Sequence, residues 1–201
     1  MLPDFEFSYD LFKKYGLELT SEVYNKLDIY AEFLVAYNEN VNLTAITDGK
    51  EILIKHFLDS ILICKYCDIK NESTLIDVGT GAGFPSVPLK IYRPDLKITL
   101  LDSLNKRIIF LEELCEKLSI DAKFFHNRAE ECGKNCDLRE QFDIATARAV
   151  ANLGLLSEYC MPFVKVDGKF ISMKGPNEDI KLGENAVKTL GGRICEDITY
   201  E

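Results

Sequence analysis

Leu75-Ile-Asp77-Val-Gly79-Thr-Gly81-Ala-Gly83-Phe-Pro85 decides how the rest of the chain is read. The apolar run from Thr74 to Val78 reads as a strand, and Pro85 opens a helix, where its fixed φ and missing N–H are tolerated. Between them, glycines permit backbone angles that a Cβ forbids and let a ligand approach the main-chain N–H groups closely. The pattern is that of a nucleotide-cofactor turn. A dinucleotide turn needs glycine at its first, third and sixth positions. Here the sixth position is Phe84, and the third glycine, Gly83, arrives one residue early. Asp77, inside the strand end, puts a carboxylate where a pyrophosphate needs none. It suits a cationic amino-acid end, as in S-adenosylmethionine (SAM). The alternative is a tight strand-to-helix turn with no ligand.

Outward from this turn, strands and helices alternate toward the C-terminus. Strands are predicted at 74–78, 97–101, 122–125, 142–146, 168–173 and 193–200, and helices at 85–92, 105–118, 128–132, 152–164 and 177–190. Such alternation predicts right-handed βαβ units, a mostly parallel sheet with helices on both faces, and ligands at the carboxyl ends of the strands. Before the turn the chain reads as helical. Thr20 or Ser21 can cap a helix whose apolar residues, Val23 to Tyr37, recur at three- and four-residue spacing. A second helix is expected from about Lys50 to Cys67. The division is therefore an N-terminal helical extension, 1–70, and an α/β body, 71–201.

Polar residues fall where such a sheet binds ligands. Asp102 ends the second strand, 23 residues after Gly79, where a carboxylate accepts hydrogen bonds from ribose hydroxyls. Asn105-Lys-Arg107 follows, with charges for solvent or RNA. After the third strand, the Ala129 N–H can meet an adenine edge and Glu130 can accept nearby, although acids also favour a first helical turn. The fourth strand delivers Arg148, whose planar fork suits phosphate, a guanine edge or a carboxylate. Lys174 lies past the fifth strand. His56, in the apolar stretch Ile52 to Ile63, is expected as a packed, hydrogen-bonded side chain rather than a catalyst.

Composition permits one substantial core in 201 residues that are 47% hydrophobic. No apolar run approaches the roughly 20 residues of a membrane span. Seven scattered cysteines fit reduced thiols in a cytoplasmic protein. Cys64-x-x-Cys67 and Cys132-x3-Cys136 lack a matching second pair, and only His56 and His126 could supplement them, so no metal is expected. The net charge of −9 opposes nucleic-acid binding, and residues 1–70 (7 basic, 12 acidic) and 71–201 (17 basic, 21 acidic) are both acidic. Any RNA contact must then use a local basic patch.

Asn42-Leu-Thr-Ala-Ile46, His56-Phe-Leu-Asp-Ser60, Asp77 to Pro85, Asp102-Ser103, Arg128-Ala-Glu130, Ala147-Arg-Ala-Val150 and Lys174-Gly175 together mark a family. Over nearly its whole length the chain resembles the RsmG (GidB) family of 16S ribosomal RNA guanine-N7 methyltransferases. The resemblance implies a Rossmann-like class I SAM-dependent methyltransferase fold. It also implies SAM contacts from Gly79, Phe84, Ala129, Glu130 and Arg148, with Asp102 and Ser103 near the ribose and adenine; the reading of the turn itself adds Asp77, Gly81 and Gly83 to the cofactor-binding set. The target implied is one guanine of 16S rRNA near the decoding centre, in the small ribosomal subunit. Family members usually continue into a further strand and a basic tail, whereas this sequence stops at Glu201, so the last strand is expected to be missing.

Guanine N7 carries an in-plane lone pair and no proton, so its methylation needs no general base. The expectation is catalysis by positioning, with no catalytic acid–base residue and with Arg148 and Lys174 as candidates to orient the substrate. Two other functions remain open: a SAM-dependent methyltransferase of a small molecule, favoured by the acidic charge, and a SAM- or nucleotide-binding RNA chaperone without turnover. Nothing requires an obligate dimer, and a monomer is expected.

Overall fold

The strand entering the glycine turn lies at the centre of the sheet. The protein is described here from a computed structural model, covering residues 1–148, 151–175 and 180–200. Five strands, β1 (Thr74–Val78), β2 (Lys97–Asp102), β3 (Ala122–His126), β4 (Phe142–Arg148) and β5 (Val164–Met173), pair in the order β3-β2-β1-β4-β5. Every pairing is parallel. Asp77 stands in register with Leu100 on β2 and Thr146 on β4, at the point where the strand order reverses. In open α/β sheets this is where a ligand crevice forms, at the carboxyl ends of the strands.

Helices precede and separate these strands: α1 (Phe5–Lys14), α2 (Ser21–Asn38), α3 (Gly49–Ile52), α4 (Asp59–Ile61), α5 (Ile63–Tyr66), α6 (Ser86–Tyr92), α7 (Asn105–Leu118), α8 (Ala129–Cys132), α9 (Leu153–Cys160) and α10 (Glu184–Thr189). A π-helical turn, Leu53–Leu58, joins α3 to α4. The Thr20 side chain accepts from Val23 N and caps α2 as its residue type predicts. Asp4 caps α1 in the same way. Gly16, at φ +75°, takes the chain out of α1 through the left-handed region. That first helix was not anticipated: Phe5, Phe7 and Tyr9 are exposed, so its apolar residues do not mark one buried stripe.

Alternate β1 residues face opposite layers, as strand geometry requires. Leu75 joins a core with Leu27 and Leu34 of α2, Phe57, Val87 of α6 and Leu111 of α7. Ile76 and Val78 join Leu156 and Cys160 of α9 and Phe163. The helices before residue 70 thus pack into the same core as one face of the sheet. Burying each such Leu or Phe contributes about 1.5–3 kcal/mol.

The predicted elements from 74 to 173 are present, with β5 beginning four residues earlier than expected at Val164. The helix expected at 152–164 is α9 followed by a 3-10 turn, Met161–Phe163. Of the helix expected at 177–190, residues 177–179 lie outside the described range; the rest is a 3-10 turn, Ile180–Gly183, then α10. The strand expected at 193–200 is absent. A strand needs a partner ladder. These residues instead run past α5 toward α4, where Tyr200 stacks on Tyr66 at 5.2 Å and donates to Asp59. Among the described residues, no helix is long and apolar enough to cross a membrane.

Candidate active site

The glycine turn spends its amides within the protein. Gly79 N and Thr80 N donate to Leu101 O, and Gly83 N and Phe84 N donate to Thr80 O. Gly81 N donates to Asp102 Oδ2 at 2.9 Å. The expected approach of a ligand to main-chain N–H groups is therefore corrected at these five positions. A phosphate would find no row of free amides here, in contrast to a dinucleotide turn. The glycines still serve close approach. Gly79, Gly81 and Gly83 sit at φ +71°, +61° and +97°. A Cβ on Gly81 would meet nothing nearer than Gly79 O at 4.0 Å, so open space lies above it.

Asp77 is completely buried below the turn. Its Oδ2 accepts from Thr80 Oγ1 at 2.9 Å and Ser86 N at 3.3 Å, while Oδ1 has no partner. Burial pushes this carboxyl up to about 7, against the opposing pull of Thr80, Ser86 and Arg148. An orphaned buried acceptor, open glycine surface and a lack of phosphate donors fit a cationic ligand group. Asp102, also buried, accepts from Gly81 N, Leu104 N and Arg107 Nη1, which ties the end of β2 to the turn. Arg107 consequently leans onto Asp102 at 3.2 Å, with its Nε buried and unbonded, rather than serving only the surface. Asn127 N donates to Asp102 O, bringing the segment before Ala129 and Glu130 alongside. Ser103 is exposed there. Ala129 and Glu130 line a cavity of about 260 Å³ with Tyr159.

The turn's next residue reaches the other side of the crevice. The Phe84 ring is buried, stacked on His56 at 4.4 Å and Tyr30 at 5.5 Å, so any ligand contact at Phe84 must use its backbone. The Arg148 guanidinium lies 4.6 Å above this ring. It donates to Lys55 O at 3.2 Å, to Asp59 Oδ2 at 3.3 Å and to His56 Nδ1 at 3.2 Å. His56 Nδ1 also lies 3.2 Å from Lys55 O, so it sits between a donor and an acceptor, while Nε2 meets Thr44 Oγ1 at 2.9 Å. Burial, then the guanidinium, lowers the imidazole to about 4. His56 is packed and hydrogen-bonded, as its apolar surroundings predicted.

Beyond Arg148 opens a cavity of about 330 Å³, lined by Lys55, His56, Asp59, Arg148, Lys174 and Tyr200 among others. Pairing of Arg148 with Met173 brings Lys174 to the same end of the sheet, where its Nζ donates to Ala151 O. Ala149 and Val150 of the Ala-Arg-Ala-Val segment lie outside the described residues. The structure thus brings Asp77, the glycines and Asp102 together on one side and Phe84, Arg148 and Lys174 on the other. Reading of the sequence missed Asp59, Lys55 and Tyr30 as site residues. The His56-Phe-Leu-Asp-Ser60 segment held the signal for Asp59, three residues from His56 on a helix.

Comparison with known proteins places the chain in a family. Residues 23–192 match the family model GidB, rRNA small subunit methyltransferase G. A protein named ribosomal RNA small subunit methyltransferase G from Alkaliphilus metalliredigens is 52% identical over 184 residues, covering 90% of this chain and 77% of that protein. One of the same name from Bacillus licheniformis is 50% identical over 192 residues, covering 94% of this chain and 80% of its own. Among solved structures, a SAM-dependent methyltransferase from Aquifex aeolicus aligns with TM-score 0.53 at 19% identity, over 70% of this chain and 82% of that one. The tRNA (m1A58) methyltransferase TrmI from the same organism aligns with TM-score 0.52 at 16% identity, over 65% and 51%. These two alignments concern the fold, which is the Rossmann-like class I methyltransferase architecture. By family model and by identity along most of its length, the chain belongs to the GidB family, rRNA small subunit methyltransferase G.

Proposed function

We propose that the chain transfers a methyl group from SAM to N7 of one guanine in 16S rRNA, within the small ribosomal subunit in the cytoplasm, and does so by positioning. SAM supplies an electrophilic methyl: the N7 lone pair bonds to its carbon as the carbon–sulfur bond breaks toward sulfur, and the sulfonium charge passes to the base. The open surface above Gly81 receives the cationic amino-acid end, with the Asp77 carboxyl buried beneath the turn. Asp102 and Ser103 flank the ribose and adenine, and Ala129 and Glu130 approach the base. Arg148 separates this side from the second cavity.

What carries the reading is the second cavity's chemistry. Its nearest imidazole, His56, is held neutral, with both ring nitrogens already within hydrogen-bond reach of protein partners. Asp77, whose carboxyl lies near 7, is sealed beneath the turn, away from that cavity. Such a site suits a nucleophile that has no proton to lose. Holding N7 in line at about 3–3.5 Å can supply roughly 7–11 kcal/mol of the barrier.

The test incubates labelled SAM and this protein with small subunits lacking the methyl group, then maps N7-methylguanine. Label at one guanine, lost in Asp77→Ala, is the expected result. Label on a different atom or in a small molecule overturns the proposal, as does failure to bind SAM in calorimetry.

A further inference from the structure

The second cavity is mostly cationic, yet one carboxylate stands among its described lining residues. Asp59 sits at the start of α4, immediately after the π turn, and its side chain is 30% exposed. Its Oδ2 accepts from Arg148 and its Oδ1 from the Tyr200 hydroxyl, so each oxygen keeps a second lone-pair direction. Lys55 and Lys174 line the same space. A purely phosphate-binding pocket gains nothing from an acid at its wall. A site for a planar base with donors on one edge and an acceptor beside them does.

Guanine has that pattern. N1–H and the N2 amino group are adjacent donors that one carboxylate can accept together, and O6 is an acceptor for a neighbouring cation. Adenine places an unprotonated N1 at the corresponding point, where a carboxylate repels it. The cavity, about 330 Å³, accommodates one base. We propose that it receives the target guanine turned out of its stack, and that Asp59 is the specificity-determining residue, accepting from N1–H and N2. This rests on the guanine-N7 reading given above.

The assignment also accounts for the setting of Arg148. A bare guanidinium beside the reacting base would oppose the positive charge that methylation creates. Paired with Asp59 at 3.3 Å, it can hold O6 or the RNA backbone with its charge offset. As the base becomes cationic its N1–H and N2 donors strengthen, so the Asp59 interaction tightens in the transition state and raises the rate as well as selecting the base.

The experiment compares native protein and Asp59→Asn on reconstituted small subunits carrying either guanosine or inosine at the target. Inosine retains N7, O6 and N1–H and lacks only the N2 amino group. With native protein, inosine is expected to lower kcat/KM by about tenfold or more. Asp59→Asn is expected to lower kcat/KM on guanosine by a similar factor, with its unfolding midpoint unchanged. The variant should then lose less than about threefold further on inosine, because the partner of N2 is already gone. Full additivity of the two losses, or no loss on inosine with native protein, overturns the role of Asp59 and leaves the guanine-N7 reading intact. Failure of native protein to form N7-methylguanine on the guanosine particle overturns both.

Discussion

Gly81 and Gly83 stand two residues apart with the same left-handed sign of φ and different work to do. A Cβ on Gly83 would lie 2.8 Å from Val87 Cγ2 and 2.9 Å from both Leu111 Cδ2 and the Tyr30 hydroxyl, all inside the core. Gly83→Ala is therefore expected to destabilise the fold by about 1–3 kcal/mol through overpacking. Gly81→Ala adds its methyl to open space, so it should cost only the left-handed strain of about 1–2 kcal/mol while blocking the proposed SAM surface. Urea unfolding paired with calorimetric titration separates the two: Gly81→Ala should stay folded and lose SAM. Asp77 gives a residue-scale prediction in pH. The unfolded carboxyl ionises near 3.8 and the native one near 7. Between those values only the native state keeps the proton, so this group makes stability fall as pH rises from about 4 to about 7. Asp77→Asn should remove that loss, stabilising the SAM-free protein by up to about 4 kcal/mol at pH 8 and hardly at pH 4. His56 works oppositely. Its native pKa of about 4 lies below the ordinary 6.5, so stability falls as pH drops through that window. In Asp77→Asn the His56 slope should stand alone, visible as stability rising from about pH 4 to about 6.5 in urea unfolding.

At the scale of elements, the N-terminal helices hold the cofactor turn in place. The Tyr30 hydroxyl on α2 donates to Ala82 O, and its ring stacks on Phe84. Tyr30→Phe leaves that buried carbonyl unsatisfied, which should cost about 1–3 kcal/mol and weaken SAM binding measured by calorimetry. The turn and its flanking elements were legible because glycine spacing and strand alternation are local properties. Asp102 was legible too, since its distance along the chain from Gly79 follows from one βαβ unit. The Arg148–His56–Asp59 cluster was not: it joins β4 to a segment 89 to 93 residues earlier, through a π turn that no periodicity announces. Residues 193–200 were misread for the converse reason. Their local pattern resembles a strand, while ladder pairing depends on a partner elsewhere in the chain. The exposed aromatics of α1 hid a helix whose cap, Asp4, was in plain view.

Across the whole molecule, the central sheet divides the interior into two layers with different clients. The layer under α2, α6 and α7 braces the glycine turn through Tyr30 and Phe84, and the layer under α9 braces the strand ends from the opposite face. The overall acidity fits this division of labour, since cations are needed only where Lys55, Arg148 and Lys174 converge. Each layer also contains an almost inaccessible free thiol, Cys115 in the first and Cys160, more deeply buried than Cys132 in the same layer, in the second. Burial pushes the Cys115 thiol up to about 12 and raises Cys160 further, so neither reacts while the native packing holds. The two sulfurs are therefore built-in clocks for transient opening. Alkylation under native conditions, followed by mass spectrometry, times how often each half of the molecule comes apart. Equal rates would mean that the halves breathe as one cooperative unit. A faster Cys160, slowed on adding SAM, would locate the looser half beneath Asp77 and show the ligand acting as its latch.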